Sequence, residues 1–294
     1  MEHRMRTLLY VPGNKASMIQ KAPRYGADVL VLDLEDSVPP SEKAAARSTV
    51  AGILTAGELN GTGVMVRING LHTPECAEDL RAVVVKGVIG LRIPKVESPE
   101  EIRELAETVT ALERTAGLEE GRVRFVPILE SPLGVLRAYE IAMASPRVVA
   151  LTLGAEDLTA ALGTERSRDG AELEYARGRV VLSAAAAKVA AIDTVFPDVQ
   201  DEEGLVAETR HIKQLGFSGK SAIHPKQIAP IHRIFAPTEQ ELERARRIVE
   251  AFLRAETEGS GAVAVDGRMV DLPVVARARR VLALAGERLG SPNE

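Results

Sequence analysis

The sequence predicts a (β/α)8 barrel, because short β-branched runs alternate eight times with segments of helical period over about 250 residues. Several runs are almost entirely apolar, as at residues 29–32 (VLVL) and 148–151 (VVAL), which is typical of strands covered on both faces. An open doubly wound sheet is the alternative, but no Gly-x-Gly-x-x-Gly pattern follows the first run, where residues 11–15 are VPGNK. We therefore favour the closed barrel.

The eight predicted strands follow one another along the chain. They cover roughly residues 7–12, 29–33, 64–69, 90–95, 123–130, 148–154, 192–196 and 221–224. Two helices between or after them have clear starts, because Ser98 with Glu101 and Thr238 with Glu241 match the capping box. The barrel is expected to occupy residues 1–258.

An additional segment follows the eighth βα unit. Residues 259–261 (GSG) are typical of a flexible break, Asp266 and Gly267 form a hairpin-turn signal, and an amphipathic helix is predicted for residues 273–289. A barrel does not need such a hairpin and helix. We expect residues 259–294 to be a C-terminal extension that caps the barrel or packs on a neighbouring subunit.

Composition argues against several classes of function. The 42 acidic residues outnumber the 37 Lys and Arg residues, and the net charge of −5 is opposite in sign to that of a nucleic-acid binder. No run reaches the roughly 20 apolar residues of a membrane helix, and no secretory signal is recognisable. The single cysteine, Cys76, is consistent with a reducing compartment. We expect a cytoplasmic protein with neither nucleic-acid nor membrane partners.

Polar side chains stand at the ends of most predicted strands. They are Tyr10, Asp33, Glu35, Asp36, Arg67, Asn69, Lys95, Glu130, Glu156, Asp157, Asp198 and His224. The carboxyl ends of barrel strands form one active face, so these groups are expected at the same mouth. Carboxylates brought together repel one another unless a cation holds them, and Mg²⁺ prefers oxygen ligands. The sequence therefore predicts a magnesium site.

Three of these residues have alternative roles. Arg67, within a predicted strand, either forms a structural salt bridge to a carboxylate or captures a substrate carboxylate. Lys95 would be the amine of a Schiff-base aldolase, which is the main mechanistic rival to a metal. His224 is either a structural histidine at a strand end or a ligand contact.

Seven short motifs, in order along the chain, resemble those of one enzyme family. They are LYVPGN at residues 9–14, LDLEDSV at 32–38, VRIN at 66–69, PILES at 127–131, LGAEDL at 153–158, GFSGK at 216–220 and IHP at 223–225. Together they resemble the citrate lyase β-subunit and the malyl-CoA and citramalyl-CoA lyases of the HpcH/HpaI aldolase superfamily. The resemblance covers nearly the whole chain. It implies a (β/α)8 barrel that is commonly a homotrimer.

The resemblance also implies roles for individual residues. Glu130 and Asp157 would bind Mg²⁺, Arg67 would bind substrate together with Glu130, and Asp271 would be the catalytic aspartate that reaches the site of an adjacent subunit. The acyl carrier would be contacted by Tyr10, Lys21, Ile223 and His224.

The expected reaction is Mg²⁺-dependent cleavage, or condensation, of a β-hydroxyacyl-CoA thioester with a carboxylate on the hydroxyl carbon. Malyl-, citramalyl- and citryl-CoA are of this type, and the route passes through a thioester enolate. Arg67 is expected to stabilise the enolate and Asp271 to transfer the proton. The alternatives are an acyl-carrier-dependent β subunit of a multisubunit citrate lyase, a class II pyruvate aldolase on free hydroxy-oxo-acids, and a malyl-CoA thioesterase.

Overall fold

A closed barrel of eight parallel strands forms the larger part of the computed structural model, which describes residues 4–59, 61–257 and 262–287. The strands are β1 (Thr7–Pro12), β2 (Val29–Asp33), β3 (Gly63–Arg67), β4 (Gly90–Ile93), β5 (Arg124–Leu129), β6 (Ala150–Leu153), β7 (Ala190–Asp193) and β8 (Gly219–Ala222). Each pairs with the next in sequence, and β8 pairs with β1 to close the barrel. The predicted (β/α)8 barrel is confirmed.

Helices alternate with these strands. They are α1 (Ala16–Lys21), α2 (Lys43–Ala56), α3 (Pro74–Val83), α4 (Pro99–Thr115), α5 (Pro132–Leu136), α6 (Ala138–Met143), α7 (Ala155–Leu162), α8 (Glu174–Ala187), α9 (Glu202–Leu215), α10 (Ile228–Phe235) and α11 (Glu239–Thr257). The predicted capping box begins α4, where the Glu101 amide donates to Ser98 Oγ at 3.3 Å and the Ser98 amide donates to Glu101 Oε2 at 2.8 Å. No helix in the described ranges is long and apolar enough to cross a membrane.

The interior of the barrel changes from apolar to polar along the strands. Leu8, Val29, Val31, Met65, Val126, Ala150 and Ile192 form a buried apolar cluster. Side chains two residues apart on a strand face the same side. The positions that follow on this side carry polar groups, with Tyr10 after Leu8, Asp33 after Val31, Arg67 after Met65 and Thr152 after Ala150. This alternation places polar groups at the carboxyl ends of the strands.

The chain divides into two compact units, Met1–His232 and Arg233–Glu294. In the second unit, α11 packs with β9 (Val263–Val265) and α12 (Leu272–Leu284), and β10 (Arg268–Val270) pairs antiparallel with β9. The hairpin turn has Asp266 and Gly267 at φ of 49° and 71°, as a tight turn between twisted strands requires. The predicted C-terminal hairpin and helix are therefore present.

Two details of the predicted extension differ from the structure or lie outside it. The last helix ends at Leu284, before the predicted residue 289, because Gly286 adopts a left-handed φ of 82° just after it. The GSG break at residues 259–261 lies outside the described residues. The predicted domain boundary between 258 and 259 lies there too and stays a prediction.

Candidate active site

A cavity of about 430 Å³ lies at the carboxyl ends of the barrel strands. Seven of the polar residues that the sequence singled out line it, namely Tyr10, Asp33, Asp36, Arg67, Glu130, Glu156 and Asp157. Ile223 also lines the cavity, whereas Lys21 and His224 are not among its lining residues in the described part of the chain. The barrel thus brings most of the predicted site together.

The two predicted metal ligands face this cavity from neighbouring strand ends. Glu130 directly follows β5 and is buried, and its Oε1 accepts a hydrogen bond from the Lys95 amide at 2.7 Å. A Cβ added at Gly154 would lie only 2.6 Å from both Cβ and Oε2 of Glu130, so a side chain there would displace this carboxylate. Asp157, in the first turn of α7, has a half-exposed side chain.

Negative charge at this mouth is only partly compensated by the protein. Burial, and then the charges of Glu35 and Asp157, raise the pKa of Glu130 to about 7. Burial also leaves the pKa of Glu35 above its ordinary value, although Arg67 lowers it. A divalent cation would supply the charge that this cluster lacks.

The donor set is suited to Mg²⁺. Among the described residues, no group of three or more His, Cys, Asp or Glu side chains is arranged to hold a metal ion. Glu130 and Asp157 would therefore act as a pair. Mg²⁺ is commonly bound through one or two carboxylates, with water and substrate oxygens as the remaining ligands. The residues present fit this ion.

Arg67 is fully engaged by carboxylates. Its Nε and Nη2 form a bidentate pair with Asp33, both at 2.7 Å, and its Nη1 lies 2.8 Å from Glu35 Oε2 and 3.1 Å from Asp36 Oδ2. Burial would raise the pKa of Asp33, but the hydrogen bonds and charge of Arg67 bring that pKa below its ordinary value. In this state Arg67 forms the structural salt bridge that the sequence offered as one alternative. Its contact with substrate stays a prediction.

Lys95 connects the acidic groups through both its backbone and its side chain. Its φ of 56° is left-handed, a conformation that costs a non-glycine residue about 1–2 kcal/mol. Its ammonium Nζ lies 3.1 Å from Glu35 Oε1 and 3.6 Å from Asp157 Oδ2. Burial lowers the pKa of Lys95, but these carboxylates outweigh burial and raise that pKa above its ordinary value. Because a Schiff base needs a neutral amine, this geometry favours the metal alternative.

Two of the residues predicted to contact the acyl carrier lie near the ends of helices. His224 precedes the short 3-10 helix Pro225–Gln227, where its Nδ1 accepts a hydrogen bond from the Lys226 amide at 3.2 Å. Lys21 is exposed at the end of α1. Their contacts with an acyl carrier stay predictions.

Asp271 belongs to the second unit. It begins α12, where its Oδ1 accepts a hydrogen bond from the Val274 amide at 3.3 Å. This is the ordinary role of an aspartate at a helix start. The side chain is exposed, and its catalytic role stays a prediction.

Sequence reasoning did not single out Arg92, which lies in β4 and lines the cavity. Its Nη2 donates to Ser221 Oγ at 3.3 Å, and its Nε and Nη1 have no hydrogen-bond partner among the described residues. The guanidinium carbons of Arg92 and Arg67 lie 5.1 Å and 4.9 Å from the centroid of the Tyr10 ring. An arginine in the middle of the apolar run GLRI was a signal that could have found this residue.

Known proteins resemble this chain over almost its whole length. The family model for HpcH/HpaI aldolase/citrate lyase matches residues 6–225. The citrate lyase subunit beta of Leuconostoc mesenteroides subsp. cremoris is 43% identical over 97% of this chain and 94% of its own length. The mitochondrial citramalyl-CoA lyase of Mus musculus is 34% identical over 95% of this chain and 86% of its own length.

A solved structure supports the same relationship. The CitE protein of Mycobacterium tuberculosis, in complex with magnesium, acetoacetate and coenzyme A, aligns with a TM-score of 0.79. It is 34% identical, and the alignment covers 97% of this chain and 99% of that protein. The relatives are lyases by name, which confirms the predicted enzyme class. The chain belongs to the HpcH/HpaI aldolase/citrate lyase family.

Proposed function

We propose that this protein is a Mg²⁺-dependent carbon–carbon lyase that acts on a β-hydroxyacyl thioester with a carboxylate on the hydroxyl carbon. The observation that carries the proposal is the pair of Glu130 and Asp157 at the barrel mouth, where burial and the neighbouring carboxylates raise the pKa of Glu130 to about 7. Relatives named for citrate and citramalyl-CoA support the substrate class. A structural neighbour that binds magnesium and coenzyme A supports the cofactor and the thioester.

Glu130 and Asp157 would hold the ion. When bound, Mg²⁺ supplies positive charge that polarises the substrate's carboxylate and hydroxyl oxygens. The Lys95 amide fixes the Glu130 carboxylate in place. Arg67, itself held by Asp33, provides positive charge where the thioester enolate develops.

Asp271 of an adjacent subunit would protonate the enolate carbon, or remove the α-proton in the condensing direction. Its exposed carboxylate is available for such a role. The acyl carrier would lie against Tyr10, Lys21, Ile223 and His224. We also propose that the protein is a homo-oligomer, with a trimer favoured, and that it is cytoplasmic.

The test is an assay of malyl-, citramalyl- and citryl-CoA with the purified protein, with products identified by mass spectrometry. We expect cleavage of at least one thioester with Mg²⁺ and none with EDTA. Glu130→Gln should lower kcat/KM by about 10³-fold or more, because the metal supplies several kcal/mol of charge stabilisation. The control is Glu104→Gln, which alters an exposed carboxylate of α4, and it should leave the rate unchanged.

Other outcomes would point to the alternatives. Cleavage only of a citryl group on an acyl-carrier protein, with partner subunits added, would indicate the β subunit of a multisubunit citrate lyase, and the 43% identity to such a subunit favours this second candidate. Hydrolysis of malyl-CoA to malate would indicate a thioesterase. Cleavage of free hydroxy-oxo-acids without CoA would indicate a class II pyruvate aldolase.

A further inference from the structure

The floor of the cavity contains a buried cation with unused hydrogen-bond donors. Arg92 is 0% exposed, and within the described residues only its Nη2 has a hydrogen-bond partner, the Ser221 hydroxyl. The hydroxyl of Thr152 is also buried without a partner among the described residues and lines the same cavity. The floor therefore offers a guanidinium and hydroxyl groups, and in the described part of the chain no carboxylate is hydrogen-bonded to Arg92.

A buried guanidinium that lacks a hydrogen-bonded carboxylate lowers the stability of the fold. Other buried arginines of the barrel are paired, as Arg147 is with Glu113 at 2.6 Å and Arg177 is with Asp193 at 3.1 Å. Arg92 instead lies beside Arg67 on the neighbouring strand, where the two charges repel, and the charges of Glu130 and Asp33 offset burial and this repulsion only in part. Since buried charges are normally paired, a ligand anion is the natural partner for Arg92.

The chemistry of the substrate indicates which anion this is. In the proposed substrates, the hydroxyl carbon carries a hydroxyl group, a carboxylate, the thioester arm and one further substituent. That substituent is a hydrogen in a malyl thioester, a methyl group in a citramalyl thioester and a carboxymethyl group in a citryl thioester. An apolar pocket would suit a methyl group, whereas a cation with free donors suits a carboxylate.

We propose that Arg92 binds the second free carboxylate of the substrate, and that this protein therefore selects a citryl thioester and its product oxaloacetate over the citramalyl and malyl analogues. The inference rests on the proposed lyase function and assigns the specificity of the same site. Arg67 is less suited to this task, because Asp33, Glu35 and Asp36 already occupy its nitrogen atoms.

An anion reaches Arg92 only when a neighbouring side chain moves, because the guanidinium has no exposed surface. Tyr10 is the candidate for this movement. Its ring stacks on Arg92, is partly exposed and lines the cavity. A bound carboxylate would replace part of this stacking contact with charge-assisted hydrogen bonds.

The experiment compares binding of oxaloacetate, its 4-methyl ester and pyruvate to the full-length protein with saturating Mg²⁺, by calorimetry. The wild type should bind oxaloacetate about 10- to 100-fold more tightly than the ester or pyruvate, neither of which carries a second carboxylate. This difference is expected for hydrogen bonds to a charged group. Arg92→Leu should bring this ratio close to one while changing pyruvate affinity little. Arg114→Leu removes the same charge from an exposed pair with Glu120 and should preserve the ratio.

Three results would overturn the inference. They are equal affinities of the wild type for oxaloacetate and its ester, an unchanged ratio in Arg92→Leu, or an equal loss of oxaloacetate and pyruvate binding in that variant. If Arg92→Leu does not fold, the neutral variant Arg92→Gln takes its place, and a ratio unchanged by that substitution counts against the inference. Failure of the lyase proposal is distinct, because then none of these ligands binds in a Mg²⁺-dependent manner.

A thermal melt separates this role from a structural one. Removal of an unpaired buried charge should leave the ligand-free melting temperature of Arg92→Leu equal to or above that of the wild type. A purely structural guanidinium would give a lower melting temperature with no change in the oxaloacetate-to-pyruvate ratio.

Discussion

Two buried charge clusters in the barrel differ in how they are balanced. Beside β7 and β8, Lys220 Nζ lies 2.8 Å from Asp193 Oδ2 and 2.6 Å from Glu208 Oε1, and Arg177 lies 3.1 Å and 2.9 Å from the same two carboxylates. Arg166 Nη2 also lies 3.1 Å from Glu208 Oε2, so three cations meet two anions. At the mouth, Glu130 has carboxylate neighbours and accepts its hydrogen bond from a backbone amide.

The pKa values reflect this contrast. Burial acts to raise the pKa of Asp193, yet Lys220 and Arg177 bring it below its ordinary value. Burial acts the same way on Glu130, and there the neighbouring charges of Glu35 and Asp157 add to the rise. The comparison indicates that the cluster of Lys220 stabilises the fold, whereas the cluster of Glu130 is completed by a ligand.

The largest expected effect is the loss of metal binding at the mouth. Glu130→Gln or Asp157→Asn should weaken Mg²⁺ binding by about 100-fold or more, since even the groups that orient metal ligands contribute 10- to 100-fold. Calorimetry with Mg²⁺ measures this directly. The folded state should tolerate Glu130→Gln, because a neutral amide replaces a charge that the protein does not balance. Unchanged Mg²⁺ affinity in both variants would remove these residues as ligands.

The second effect concerns the balanced cluster. Lys220→Met should lower the free energy of unfolding by about 3–5 kcal/mol, because the buried pair of Asp193 and Glu208 would lose one of the cations that balance it. Urea denaturation measures the loss, and Lys86→Met, at an exposed lysine, should change stability by less than about 0.5 kcal/mol. A loss below about 1 kcal/mol in Lys220→Met would contradict a stabilising role for this cluster.

The third prediction concerns pH. The pKa of Asp193 is lower in the folded chain than its ordinary value of 3.8, so its stabilising contribution is present above that pH and is lost as the pH falls through the folded value. Asp193→Asn should therefore be less stable than the wild type by a constant amount from about pH 5 to 8, and the difference should shrink below about pH 4. Denaturation at several pH values measures it, and a difference that does not shrink in acid would count against the pairing.

The sequence predicts the position of the candidate metal site but not the ion pairs of the balanced cluster. Period and turn signals predict the strands, and the rule that barrel sites lie at strand ends places Glu130 and Asp157 at one mouth. Partners across strands are a different matter, since they depend on depth in the barrel and on which helix lies behind each strand. That is why the sequence does not show that Lys220, in the GFSGK motif, and Arg92, in the middle of β4, are both buried.

The smallest effect separates backbone strain from charge. Lys95 and Lys188 both adopt a left-handed backbone, with φ of 56° and 59°, but Lys188 only ends α8 and is exposed. Lys188→Gly should raise the free energy of unfolding by about 1 kcal/mol, because glycine adopts this conformation without strain. Lys95→Gly relieves the same strain but removes the ammonium beside Glu35 and Asp157, so its gain should be smaller. Thermal melts of both variants without Mg²⁺ measure the difference, and equal gains would mean that the Lys95 ammonium does nothing to hold the acidic cluster together.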